Sequence, residues 1–307
     1  MEIFLQQLVN GIVLGSIYSL VALGYTLVYG IMGLINFAHG DVVMIGAMVT
    51  LTVIRLLSGS GLPGPLVVLC GLGAAIPFCM MTGYLMERIA YRPLRNAPRL
   101  APLITAIGVS ILLQNVAMLI WGREYLSFPQ LLPAHAFPFL GASISFIQIL
   151  IVAGSGIMMA CLSILIRKTR LGNAMRAASQ NAEVATLMGV EVNSVISITF
   201  MLGSALAAVA GMMVSAYYGI AHYDMGFLLG LKAFTAAVLG GIGNMEGAML
   251  GGLLLGIIES MGAGYLGTLT NGAMGSNYQD VFAFFVLILV LIFRPSGLLG
   301  ERVGERP

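Results

Sequence analysis

Long apolar runs separated by short polar breaks make up this chain. The runs cover roughly residues 3–31, 42–57, 66–86, 103–121, 146–166, 192–217, 225–240, 248–263 and 281–293. Most reach or approach the ~20 residues that a helix needs to cross a bilayer. None shows ten-residue alternation of apolar and polar positions, so the prediction is helices and not a barrel. The excess length of the first run predicts tilt or a break. The expected fold is all-α: a polytopic membrane protein of about nine transmembrane helices, in one membrane domain over 1–307. If 225–240 is re-entrant, the number falls to eight.

The longest polar stretch that still reads as folded is Arg167–Glu191, RKTRLGNAMRAASQNAEVATLMGVE. Asn173 stands where a side chain caps free backbone N–H groups. No Pro or Gly occurs from Ala174 to Met188, and Gly189 follows as a stop. Ala174, Ala178, Ala182, Ala185 and Gly189 fall on one stripe of the predicted helix, while Arg176, Gln180, Glu183 and Thr186 lie off it or on its flanks. A small-residue stripe lets another protein's backbone approach closely. The same spacing also suits a polar loop with one helical turn packed on its own membrane domain, and both readings stay open at this point.

Composition fixes the class. Of 307 residues, 59% are hydrophobic and 8% charged, against about 25% charged in soluble domains. The chain cannot cover a water-facing surface, so it is an integral membrane protein. Its net charge of +2 gives no reason to expect a nucleic-acid partner. The placement of the basic residues says more. Arg88, Arg92, Arg95 and Arg99 share one break; Arg167, Lys168, Arg170 and Arg176 share another; Arg294, Arg302 and Arg306 lie in the tail. With nine spans all three groups fall on one side, and the excess of Lys and Arg on cytoplasmic loops makes that side the cytoplasm. The N-terminus is then outside and the C-terminus inside, with Arg55 the misfit. Cys70, Cys79 and Cys161 sit within apolar runs as packing residues, with no metal-ligand spacing. The start of the chain lacks a basic leader region, so the first run is expected to be a retained span.

Two glycine-broken stretches resemble each other: GLINFAHGDVVMIGA (Gly33–Ala47) and GGIGNMEGAMLGG (Gly240–Gly252). Such breaks at matching positions expose backbone along the substrate path of many transporters; alternatively they are tight turns capped by Asn36 and Asn244. His39 and Asp41 suggest either a proton relay or, at a turn near headgroup depth, a structural or partner-facing role. Lys232 is too costly to leave alone in lipid and is expected to snorkel or to pair with Asp224 or Glu259. Gln114 and Asn115 are expected to bond between helices. The chain contains no G-x-x-x-x-G-K-[ST], H-E-x-x-H, G-x-S-x-G or helix-opening G-x-G-x-x-G motif. It is therefore not expected to bind ATP or to be an enzyme.

Four stretches carry a family resemblance: GYTLVYGIMGLINFAHGDVVMIGA, ERIAYRPLR, LITAIGVSILLQN and KAFTAAVLGGIGNMEGAMLGGLLLGIIE. Together they resemble the LivH-type permease of bacterial branched-chain amino acid ABC transporters, through nearly the whole chain. The resemblance implies a multi-pass subunit of the inner membrane that moves Leu, Ile and Val by alternating access. It implies a second, LivM-like permease, two cytoplasmic ATPase subunits that bind the ATP, and a periplasmic amino-acid-binding protein, with lipid around the bundle. It makes the segment Arg170–Gly189 the coupling helix, with Arg170, Gly172, Ala174, Arg176, Ala178, Ala182, Ala185 and Gly189 toward the ATPase. Tyr25, Asn36, His39 and Asn244 are the expected wall of the passage. A relative importing urea, short amides or other amino acids is the alternative, and an ion-coupled transporter or channel a more distant one.

Overall fold

The computed structural model describes residues 2–95, 97–98, 100–131, 133, 135–139, 141–270 and 278–300. Arg99, Arg302 and Arg306 of the basic pattern lie outside them. The helices are α1 (Glu2–Met32), α2 (His39–Leu57), α3 (Gly64–Leu85), α4 (Leu100–Trp121), α5 (Phe146–Lys168), α6 (Arg170–Gln180), α7 (Ala182–Leu187), α8 (Val192–Tyr218), α9 (Met225–Gly240), α10 (Met245–Leu269) and α11 (Gln279–Phe293). Seven of the described helices, with α3 continuing to Leu94, are long and apolar enough to cross a membrane; α9 and α11 are shorter apolar helices. Four short strands lie at one end: β1 (Leu126–Ser127) pairs with β4 (Ile220–Ala221), and β2 (Ala136–Phe139) with β3 (Ala142–Ser145).

Chain direction follows from the contacts. The Ser143 N–H donates to Gln6 Oε1 at 2.9 Å, so α1 and α5 start at the strand end. Helix α5 leads to α6 and α7, which form a foot at the opposite end. There Arg167 forms an ion pair with Glu246 at the start of α10. Helix α1 runs antiparallel to α10: Gly11 lies against Ile257, Gly15 against Leu253, and Gly30 near Gly243. Without side chains at these glycines the two backbones touch, which is how helices gain packing in lipid where burial alone gives no drive.

The deviation from the expected spans is instructive. Helix α2 does not begin at the membrane surface. His39 packs on Gly24, eight residues and about 12 Å of helix rise before the end of α1. The linker 33–38 therefore climbs back into the bundle before α2 leaves for the strand end. Helix α9 repeats this arrangement from the other side. Helix α8 ends among the strands, and the linker 219–224 descends until Gly226 meets Gly40. Linker and helix together complete one crossing of the bundle. The chain reaches the foot again, where the Leu298 N–H bonds the Leu239 carbonyl at 2.9 Å.

These features form an inverted repeat. Helices α1–α4 correspond to α8–α11 and run the opposite way. The packing agrees: α1 pairs with α10 as α8 pairs with α3, and α2 packs on α3 as α9 packs on α10. Both linkers open on a left-handed glycine, Gly33 at φ 63° and Gly219 at φ 71°. Ala-His-x-Asp occurs at each, three residues out of step: Ala38 ends the first linker and His39-Gly40-Asp41 open α2, while Ala221-His222-Tyr223-Asp224 lie within the second linker. The sequence comparison of 33–47 with 240–252 matched the wrong partner. Residues 241–244 are a tight turn and 245–252 already belong to α10, whereas the linker 33–38 has its counterpart in the linker 219–224.

Candidate functional site

At the bundle's middle the N-termini of α2 and α9 cross backbone to backbone. A Cβ on Gly40 would lie 2.3 Å from the Gly226 carbonyl oxygen and 2.7 Å from Gly230 Cα, so any side chain there separates the helices. Asp41 stands in the first turn of α2, beside Gly226, and is fully buried. The positive ends of two helices favour its carboxylate. Gln114 of α4 donates to Asp41 Oδ1 at 3.0 Å, while Oδ2 has no hydrogen-bond partner among the described residues. Gln114 thus makes the interhelical bond expected of it, whereas Asn115 donates back to the Ile111 carbonyl of its own helix.

The four expected passage residues are placed in packing and capping roles. Tyr25 and His39 are both buried and meet edge to face at 4.9 Å. His39 fills the slot left by Gly24 and lies well inside the bundle, not at headgroup depth. Asn36 is buried and accepts from Tyr91 Oη at 2.7 Å. Asn244 caps α10, accepting from the Gly247 N–H at 3.1 Å and donating to the Leu299 carbonyl at 2.9 Å. None of them lines the cavity on the other side of α9.

That cavity, of about 570 Å³, lies between α1, α4, α8, α9 and the linker 219–224. Tyr18, Gln114, His222, Asp224 and Lys232 supply its main polar surface. Lys232 donates to Glu259 Oε1 at 2.8 Å and sits 2.7 Å from Asp280 Oδ1, and Tyr18 Oη donates to Glu259 Oε2 at 2.9 Å. The expected Glu259 pairing is present. Asp224 instead pairs with His222, whose Nε2 faces the Arg123 carbonyl at 3.0 Å. Tyr18 makes the bond between helices that its place in an apolar run suggests, whereas sequence reasoning missed Asp280 and gave His222 no role. The second Ala-His-x-Asp was the signal for His222, and Asp280 could have been found as the acid opening the last apolar run.

The foot departs from the single helix expected. Thr169, not Asn173, caps α6, accepting from the Gly172 N–H at 3.1 Å. Asn173 instead accepts from Arg176 at 2.6 Å, and Arg176 also reaches the Ile166 carbonyl at the end of α5. Asn181 breaks the run and caps α7, accepting from the N–H groups of Glu183 and Val184 at 3.0 and 3.1 Å. The break divides the small-residue stripe. Gly172, Ala178 and Ala185 are buried against the chain's own bundle, Ala174 is half-buried, and Arg170, Arg176, Ala182 and Gly189 are exposed. Gly189 ends the segment at φ 84°, as expected. The apolar tip is formed by Val184, Leu187 and Met188, which are 52%, 86% and 81% exposed. Beside the foot, Glu87 is fully buried and held by Arg92 at 3.0 Å, by Arg95 and by Ser197 Oγ at 2.8 Å, which ties the end of α3 to the start of α8.

Comparison with known proteins places this geometry. Residues 7–291 match the family model described as the branched-chain amino acid transport system, permease component. The chain is 49% identical to the high-affinity branched-chain amino acid transport system permease protein BraD of Pseudomonas aeruginosa, over 99% of this chain and 98% of BraD. It is 46% identical to the LivH protein of the same description from Escherichia coli K12, over 99% and 97% of the two chains. A weaker likeness, 28% over 64% of this chain and 53% of the relative, links it to the autoinducer 2 import system permease protein LsrC of Yersinia enterocolitica. No solved structure matches the chain.

Proposed function

The chain belongs to the branched-chain amino acid transport permease family, and from that premise we propose that it carries Leu, Ile and Val inward across the bacterial inner membrane, as one permease subunit of an ATP-driven importer. The observation that carries this reading is the near-full-length identity to BraD and LivH. The fold suits the task. Two helices broken at the bundle's middle, one entered from each end, are the usual framework of alternating access.

The partners are a second permease, two ATPases and a periplasmic binding protein. The chain carries no P-loop of its own, so the nucleotide sites belong to the ATPases. The foot end faces the cytoplasm. It gathers Arg88, Arg92, Arg95, Arg167, Lys168, Arg170, Arg176 and Arg294, against Arg55 and Arg123 at the strand end, in the sense of the positive-inside rule. The N-terminus is then periplasmic. On the foot, the ATPase meets Val184 and Leu187 of α7 and Met188 just after it, with Arg170, Ala182 and Gly189 exposed nearby. Coupling requires those contacts to differ between two states of the bundle.

The deciding experiment is uptake of labelled leucine by vesicles holding the complete assembly. Uptake should require ATP and should be reduced by isoleucine and valine but not by urea. Leucine entry through this chain alone, without ATPase, or transport of urea in place of leucine, would refute the reading.

A further inference from the structure

The 570 Å³ cavity combines features that point to one ligand chemistry. Its floor reaches Tyr18, in the middle of α1. A cavity holding a lysine–carboxylate cluster at that depth cannot open onto acyl chains, because each ion would lose its partners' screening to hydrocarbon. Its mouth must face water or protein. Asp224 lies at the top of α9, its side chain 56% exposed. Lys232 lies two turns further down the same helix. The helix rise separates their Cα atoms by about 12 Å. Side chains lean toward the helix N-terminus, so the lysine stem recovers part of that distance. Between the two charges, Met225, Phe227, Leu228 and Leu229 supply an apolar wall, completed by Val214.

We propose that this cavity reads the charged ends of the cargo, Asp224 taking the α-ammonium and Lys232 the α-carboxylate, with the aliphatic side chain on Leu228, Leu229 and Val214. The assignment rests on the transport reading above and names its recognition residues. Lys232 can exchange a partner without leaving a bare charge. Glu259 is almost fully buried and fixed by Tyr18, whereas Asp280 is 35% exposed and can turn to water when a ligand carboxylate replaces it. His222 is a positioning residue: it stacks on Tyr125 at 4.1 Å and holds Asp224 at the mouth. Asp224 is the carboxylate on the cavity lining, so the mouth favours a ligand with an ammonium and disfavours one with surplus negative charge.

The test uses the complete assembly with its native thiols replaced and Leu228→Cys as a reporter. A water-soluble thiol reagent should modify the cysteine, and millimolar leucine should slow the reaction. Leucinamide lacks the carboxylate and isocaproate lacks the ammonium; each should protect about tenfold less well, the effect of one lost charged contact. Glutamate should not protect. Asp224→Asn should abolish the advantage of leucine over isocaproate, and Lys232→Met its advantage over leucinamide, while Lys232→Arg keeps it. Equal protection by all ligands, or protection unchanged in Asp224→Asn, overturns the site. Failure of the unmodified assembly to move leucine would instead sink the transport reading, so the two failures are distinguishable.

Discussion

Gly24 has no room for a methyl group: its Cβ would fall 2.1 Å from His39 Nε2. Gly24→Ala must therefore displace the imidazole or part α1 from α2, at a cost of about 1–3 kcal/mol for an overpacked core. Thermal unfolding of the purified protein should show a lowered midpoint. Pairing it with His39→Ala should return part of the loss, since the small side chain vacates the slot; strictly additive midpoints would show that the two residues do not meet. The charged cluster behaves differently. Lys232→Met leaves Glu259 buried without its cation, which costs about 3–5 kcal/mol. Adding Glu259→Gln should restore most of it. Equal instability of single and double variants would mean that Lys232 matters for packing and not for pairing.

The foot shows what spacing alone conveys and what it omits. The stop at Gly189 and the helical character of the segment were legible, because they depend on local backbone preferences. The break at Asn181 was not. Asn181 caps the N–H groups that the break leaves free at the start of α7, and nothing in the alanine periodicity signals that break. Burial then separates residues that shared one stripe. Ala178 and Ala185 face inward, so enlarging them should destabilise the fold. Leu187→Asp or Met188→Asp should leave insertion and unfolding unchanged, remove ATPase co-purification and reduce uptake at least about tenfold, as for loss of an interface anchor. Retained co-purification with both substitutions would place the docking surface elsewhere. The spans were legible for the converse reason: hydrocarbon selects composition, and composition is visible without coordinates. The half-helices were hidden because a linker entering the bundle reads like a surface turn until His39 is seen against Gly24.

The inverted repeat supplies a rule for the second state of the transporter. Where two units of opposite direction adopt slightly different conformations, exchanging those conformations converts an opening on one side into an opening on the other. Aligning His39 with His222 pairs Met44 of α2 with Phe227 of α9. Phe227 is 52% exposed beside the cavity, while Met44 is fully buried. On this reading the α9 unit is the accessible one in this state and the α2 unit the packed one. In an assembly lacking native thiols, Phe227→Cys should react with a water-soluble reagent applied from the periplasmic side, and Met44→Cys should be inert. Trapping the ATPases in the alternative nucleotide state should reverse the pair, protecting position 227 and exposing position 44 to reagent from the cytoplasmic side. Reciprocal change is the discriminating feature, because simple loosening of the bundle would raise both reactivities together. If position 44 stays inert in every nucleotide state, the two halves do not exchange conformations, and the passage must open by another motion, such as displacement of α4, whose polar ties to α2 run from Gln114 to Asp41 and from Trp121 to Thr52.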